Sequence, residues 1–132
     1  MLDLVNQDRQ AKGVAPLPLN EKLSNLARAH ALDMQKNKFF SHINKQGLNP
    51  QARAHLAGID CGVYENIAWR SSSSMTLEQM LSLIEQSFMA EPEGQLNHRY
   101  NILKPDHACV GIGVVVNNNK IFAVQEYADS EP

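Results

Sequence analysis

An α+β domain, with its helices ahead of an antiparallel pair, is what the amino-acid sequence predicts, and three observations carry that prediction. Apolar residues follow helical spacing at Leu23, Leu26, Ala27, His30, Ala31 and Met34. They do so again at Leu77, Met80, Leu81, Ile84 and Phe88. Near the C-terminus, Val110–Val116 and Ile121–Tyr127 are apolar and β-branched, and they flank the turn Asn117-Asn118-Asn119. Helices first and a hairpin last give α+β layering.

Taken in order, Leu2 to Lys12 reads as a helix closed by Gly13 and the Pro16-Leu17-Pro18 segment. Asn20 is the expected N-cap of a second helix that stops near Asn37. The polar, glycine-containing stretch Ser41–Asn49 reads as a loop, after which Pro50 opens a short helix running to Gly58. Cys61–Trp69 is short, apolar and partly β-branched, the pattern of a buried strand. Thr76 caps the third long helix and Pro92 ends it, because proline pushes the preceding residue out of the α region. Leu96–Leu103 adds a helical turn, and Ser71–Ser74 reads as a surface loop.

At 132 residues, one domain spanning 1–132 is the expectation. A chain this long buries roughly two-thirds of its unfolded surface and needs no metal or disulfide framework to hold a core. Twelve Lys and Arg against fourteen Asp and Glu leave a net charge of −2, without the basic excess that nucleic acid requires. No apolar run approaches the ~20 residues of a transmembrane segment. The N-terminus lacks a basic stretch followed by an apolar one, so it is no signal peptide. Either the protein is cytosolic or the chain is a mature domain whose leader has been removed. Cys61 and Cys109 match no metal or redox spacing, and pairing and free thiols both stay open.

Placement of histidine and glutamate carries more information than composition. Glu65 interrupts the apolar run Val63–Ala68, where an ionised carboxylate needs a donor, a cation or water. Glu91 falls at the C-terminal end of a helix, where the macrodipole disfavours negative charge. His42 marks a helix-to-loop junction, and His98 follows Glu91 by seven residues. No zincin helix, nucleophile elbow, phosphate loop or calcium loop is present. A shared His/Glu site and four separately satisfied side chains are the two readings the residues allow.

Several fragments, in this order, resemble the CAP superfamily and its bacterial SCP-like branch. They are Leu26-Ala-Arg-Ala-His30-Ala-Leu-Asp-Met34, Phe40-Ser-His42, Gly47, Arg53, Gly58, Glu65-Asn-Ile-Ala68, His98-Arg-Tyr-Asn-Ile-Leu103 and Val110-Gly-Ile-Gly113. The likeness runs from Val5-Asn-x-x-Arg9 to Val124-Gln-Glu-Tyr127. It implies an α-β-α sandwich, with a small antiparallel sheet between helical layers, and a cleft holding His42, Glu65, Glu91 and His98. Tyr64 and Phe88 depart from the family's glycine and tryptophan, and Glu93 competes with Glu91 for the fourth place.

From this resemblance the expected ligands follow. His42 and His98 would supply two corners of a weak, exchangeable Zn²⁺ site, with the glutamates orienting imidazoles or waters. A small-molecule, lipid-like or protein ligand would share the cleft. An alternative is a metal-assisted peptidase or esterase using Glu65 or Glu91 as general base. The likeness also implies a secreted, periplasmic or cell-surface protein, a monomer, and an oxidising setting that favours a Cys61–Cys109 bridge. Of the remaining polar residues, His30 reads as a core histidine and His55 and His107 as surface or loop residues. Glu126 reads as a strand residue that reaches the cleft rim or, the preferred reading, faces solvent, and Tyr64 and Trp69 as packing or cleft-lining rings.

Overall fold

The computed structural model describes residues 1–132. In chain order its elements are α1 (Leu2–Ala11), α2 (Glu21–Asn37), α3 (Pro50–Leu56), β1 (Val63–Ser71), α4 (Leu77–Met89), α5 (His98–Leu103), β2 (Cys109–Asn117) and β3 (Lys120–Ala128). Asn20, Asn49, Thr76 and Asn97 each accept a bond from the backbone N–H three residues on. Those bonds satisfy donors that no helical carbonyl can reach. Asn97 takes the cap of α5, which is why that helix begins at His98 and not at Leu96. β1 begins two residues later than Cys61 and runs through Ser71, which pairs with Lys120. The β2–β3 turn sets Asn118 at φ 55°, a left-handed conformation that asparagine tolerates better than most residues.

The sheet has the order β1-β3-β2, with both pairings antiparallel. β3 is therefore central, and every residue from Ile121 to Ala128 is buried. Its side chains alternate between two cores. Ile121, Ala123 and Tyr127 join Val5, Met80, Ile84, Phe88 and Ile102 from α1, α4 and α5. Phe122 and Val124 pack with Ala27, Ala31 and Met34 of α2, while Ala128 joins Leu23, Leu26 and Ala54. Helices thus cover both faces, as an α-β-α sandwich. No helix is long and apolar enough to cross a membrane.

Both cysteines are free thiols, Cys109 buried and Cys61 half-buried, so the expected bridge is absent. Cys61 lies two residues before β1 and packs against the small apolar cluster that contains Cys109, with no bond between the two sulfurs.

At two glycines β2 approaches the α2 backbone too closely to admit a side chain. A Cβ on Gly111 would lie 2.1 Å from the Leu23 carbonyl carbon, and one on Gly113 would lie 2.3 Å from the Arg28 nitrogen. Backbone faces backbone there, so neither side can yield by turning a side chain. Gly111→Ala or Gly113→Ala is expected to cost about 3 kcal/mol or more in urea unfolding. Gly62→Ala, whose Cβ meets only the end of Gln51 at 3.9 Å, should stay within about 0.5 kcal/mol.

Candidate functional site

Strand alternation aims Glu65 of β1 at the α2 layer, where it is 7% exposed. Burial would raise its carboxyl, but the neighbouring Glu126 carboxyl, the hydrogen bond with His42 and the charge of Arg53 reverse that and hold it down at about 2. Arg53 of α3 donates through Nη2 to both carboxylate oxygens, at 3.0 and 2.8 Å, and to the His42 carbonyl at 2.9 Å. His42 Nδ1 lies 2.8 Å from Glu65 Oε1. Behind them, His30 is buried, bonds the Ser41 carbonyl through Nε2 at 2.9 Å and lies 3.9 Å from the same carboxylate. Desolvation pushes its imidazole down.

Glu126 contradicts its expected exposure. It sits opposite Glu65 in register and is fully buried, because β3 is the central strand and neither of its faces meets solvent. Arg53 Nη1 comes only to 3.8 Å, an ion-pair distance and not a hydrogen bond. Burial and the neighbouring Glu65 charge push the Glu126 carboxyl well above the usual range. Burial and neighbours thus favour opposite forms of the two acids, the neutral acid for Glu126 and the carboxylate for Glu65.

A second His/Glu pair faces the first across the cleft. Glu91, just beyond α4, bonds His98 Nδ1 through Oε2 at 2.7 Å. Its other oxygen accepts the backbone N–H groups of His98 and Arg99, at 2.7 and 3.3 Å. Glu91 thus lies at the start of α5, where the helix dipole favours a negative charge, and this answers the objection raised by its place after α4. The Phe88 ring stacks on the His98 imidazole at 4.4 Å. Glu93 points elsewhere, pairing with Arg99 at the surface.

Asn66 and Asn101 tie the halves together. Asn66 Nδ2 donates to the His98 carbonyl and to Gln125 Oε1, and Asn101 Nδ2 donates to Asn66 Oδ1. With Tyr64, Leu96, Asn97 and Tyr100, these residues and the two His/Glu pairs bound a cleft of about 550 Å³. An ionised carboxylate only accepts, so each imidazole facing one donates from Nδ1 and keeps its lone pair on Nε2. Neither Nε2 has a protein partner. No three His, Cys, Asp or Glu side chains converge on one point, so a metal here would take two protein ligands and fill its other positions with water or ligand.

Of the other residues, some fall as expected and some do not. His107 is buried, not superficial, with Nδ1 2.7 Å from Asp129 and Nε2 2.7 Å from the Asn101 carbonyl. His55 is exposed beside Asp60. Tyr64 lines the cleft, whereas Trp69 lies outside it. Arg53, the cation that makes the buried charge tolerable, was legible only as a family position. Glu85 of α4 went unnoticed because its helix face looked apolar. It bonds Gln125 Nε2 at 2.9 Å, and burial together with Asp8 pushes its carboxyl up to about 7.

Comparison with known proteins adds a family to this geometry. The model of the cysteine-rich secretory protein family, CAP, matches residues 2–127. The uncharacterised protein YkwD of Bacillus subtilis is 33% identical over 116 residues, which cover 87% of this chain and 41% of YkwD. The chain therefore spans less than half of that relative's length. An extracellular SCP-domain protein of Bacillus anthracis superposes with a TM-score of 0.72 at 24% identity, over 96% of this chain and 38% of its own. The structure of NaASP2 with Zn²⁺ gives 0.68 at 15% identity, over 98% and 79%.

Two measurements check this electrostatic arrangement. Arg53→Met leaves a buried carboxylate without its cation and should lower stability at pH 7 by roughly 3–5 kcal/mol, while the neutral donor of Glu126→Gln should cost about 1 kcal/mol or less. Glu85 titrates at about 7 when folded against an ordinary 4.5. Between those values the folded state holds the extra proton, so stability falls as pH rises through that window. The stability difference between wild type and Glu85→Gln should shift by roughly 2–3 kcal/mol in favour of the variant from about pH 4 to pH 8.

Proposed function

Because the chain belongs to the cysteine-rich secretory protein family, we propose that it is an exported domain whose cleft binds a divalent cation and a small or lipid-like ligand. The observation that carries this reading is the pairing of each cleft histidine with a carboxylate through Nδ1, at 2.8 and 2.7 Å. Carboxylates placed there fix the tautomer and raise the basicity of the outward nitrogen, the supporting pattern of histidine metal sites. His42 and His98 would hold the metal through Nε2. When bound, Zn²⁺ would polarise a water or a ligand oxygen in the cleft. Two protein ligands imply weak, exchangeable binding. The zinc reported for NaASP2 and the extracellular setting of the Bacillus anthracis protein agree with this reading.

Hydrolysis is the weaker reading. It asks a cleft glutamate to take a proton from water, yet Glu65 is held at about 2 and already accepts bonds from His42 and Arg53. So acidic a carboxyl makes a poor general base. Glu91 is committed to three N–H groups.

Calorimetric zinc titration near pH 7.5 tests the proposal. Wild type should bind one ion per chain, His42→Ala and His98→Ala should each weaken binding at least about tenfold, and Glu91→Gln should weaken it about 10–100-fold through His98. Equal isotherms for wild type and both histidine variants would show that the cleft is not the site.

A further inference from the structure

α2 leaves the hairpin end of the sheet uncovered. The helix stops before Lys38, whose left-handed backbone (φ 55°) turns the chain away, while β1 and β3 run on to pair Ser71 with Lys120. At this end the exposed Trp69 stands in register with Phe122, whose ring is buried against α2. Trp69 is 47% exposed, as is Phe40 from the loop after α2. The Lys120 ammonium lies over both sheet rings, 4.4 Å from the Trp69 centroid and 4.9 Å from that of Phe122. Together with Lys38 and the amides of Gln35 and Asn117, they line a groove of about 500 Å³ that shares no residue with the His/Glu cleft. No acidic side chain lines it, in a chain whose net charge is −2.

We propose that this groove binds a carboxylate-bearing saccharide of the uronic-acid type. A pyranose presents a flat C–H face that an exposed indole can cover, hydroxyls that primary amides can bond, and here a carboxylate that an ammonium can pair. The groove offers all three within one concavity. Lys120, held over the rings by cation–π attraction at an exposed position, exchanges that contact for the sugar carboxylate and frees the exposed indole face of Trp69. Other occupants fit less well. A fatty chain gains nothing from Gln35 and Asn117, and a bilayer calls for a projecting surface, not a concave one. A polynucleotide needs more than two cations to neutralise its phosphates. A second copy of this chain would set like charges against each other.

Trp69 is the only tryptophan in the chain, so its fluorescence reports this groove alone. Tetragalacturonate titrated into the whole chain at low salt, with a chelator present to silence metal sites, should give a saturable change in emission and a matching calorimetric isotherm. Neutral maltotetraose should bind at least about tenfold more weakly, and Trp69→Ala and the double variant Lys38→Gln/Lys120→Gln should each lose about tenfold in affinity for the uronate. Added salt should weaken binding as it screens the two lysines. Both variants alter exposed or groove-lining side chains, and circular dichroism like that of wild type confirms that they fold. Absence of uronate binding, equal affinity for maltotetraose, or unchanged affinity in both variants would overturn the proposal. So would binding of phosphatidylglycerol vesicles or oligodeoxythymidylate where the uronate fails.

Discussion

A carboxylate 7% exposed on a strand between two helical layers cannot stay ionised without help, and each element packed around Glu65 supplies some. α2 contributes His30, the following loop His42, α3 Arg53 and the central strand the proton of Glu126. Removing one contributor leaves a charge in a medium that penalises it by several kcal/mol. The same contacts set the cleft wall. Arg53 grips the His42 carbonyl as well as Glu65, so the loop carrying the histidine is fixed by the group that neutralises the carboxylate.

The opposite wall is built on the other side of the sheet. Glu91 caps α5 while bonding His98, and Asn66 carries the His98 carbonyl back to Gln125 in β3. Gln125 also accepts from the Tyr127 hydroxyl and donates to Glu85. A continuous line of buried polar groups thus runs from the cleft through the central strand to α4. Adjacent residues of β3, Gln125 and Glu126, serve opposite faces, one supporting His98 and the other supporting His42 through Glu65. The strand links the two histidines through its pleat, and each imidazole keeps one nitrogen for the cleft.

Much of this was legible in the sequence, and the exceptions share a cause. Helix starts declared themselves through Asn20, Pro50 and Thr76, because such signals act locally. The hairpin did so through its asparagine turn, and the four cleft residues through fragments that resemble a family. Glu126, Glu85 and His107 were misread or passed over because their burial depends on strand order and on partners far along the chain. Glu126 looks like a solvent-facing residue until β1 is known to pair on the other side of β3. Likewise, Glu85 has no visible partner until Gln125 is placed beneath it.

The division of one proton between Glu65 and Glu126 is the claim on which this picture of the cleft rests. It is read most directly from the side-chain carboxyl ¹³C shifts of the two residues, followed by NMR as a function of pH in the folded, metal-free protein. The arrangement described here requires Glu126 to keep the shift of a neutral acid through neutrality, while Glu65 keeps that of a carboxylate down to about 2. If both carbons instead titrate together in the ordinary glutamate range near about 4.3, the pair does not share a proton, and the buried Glu65 charge must be balanced without Glu126.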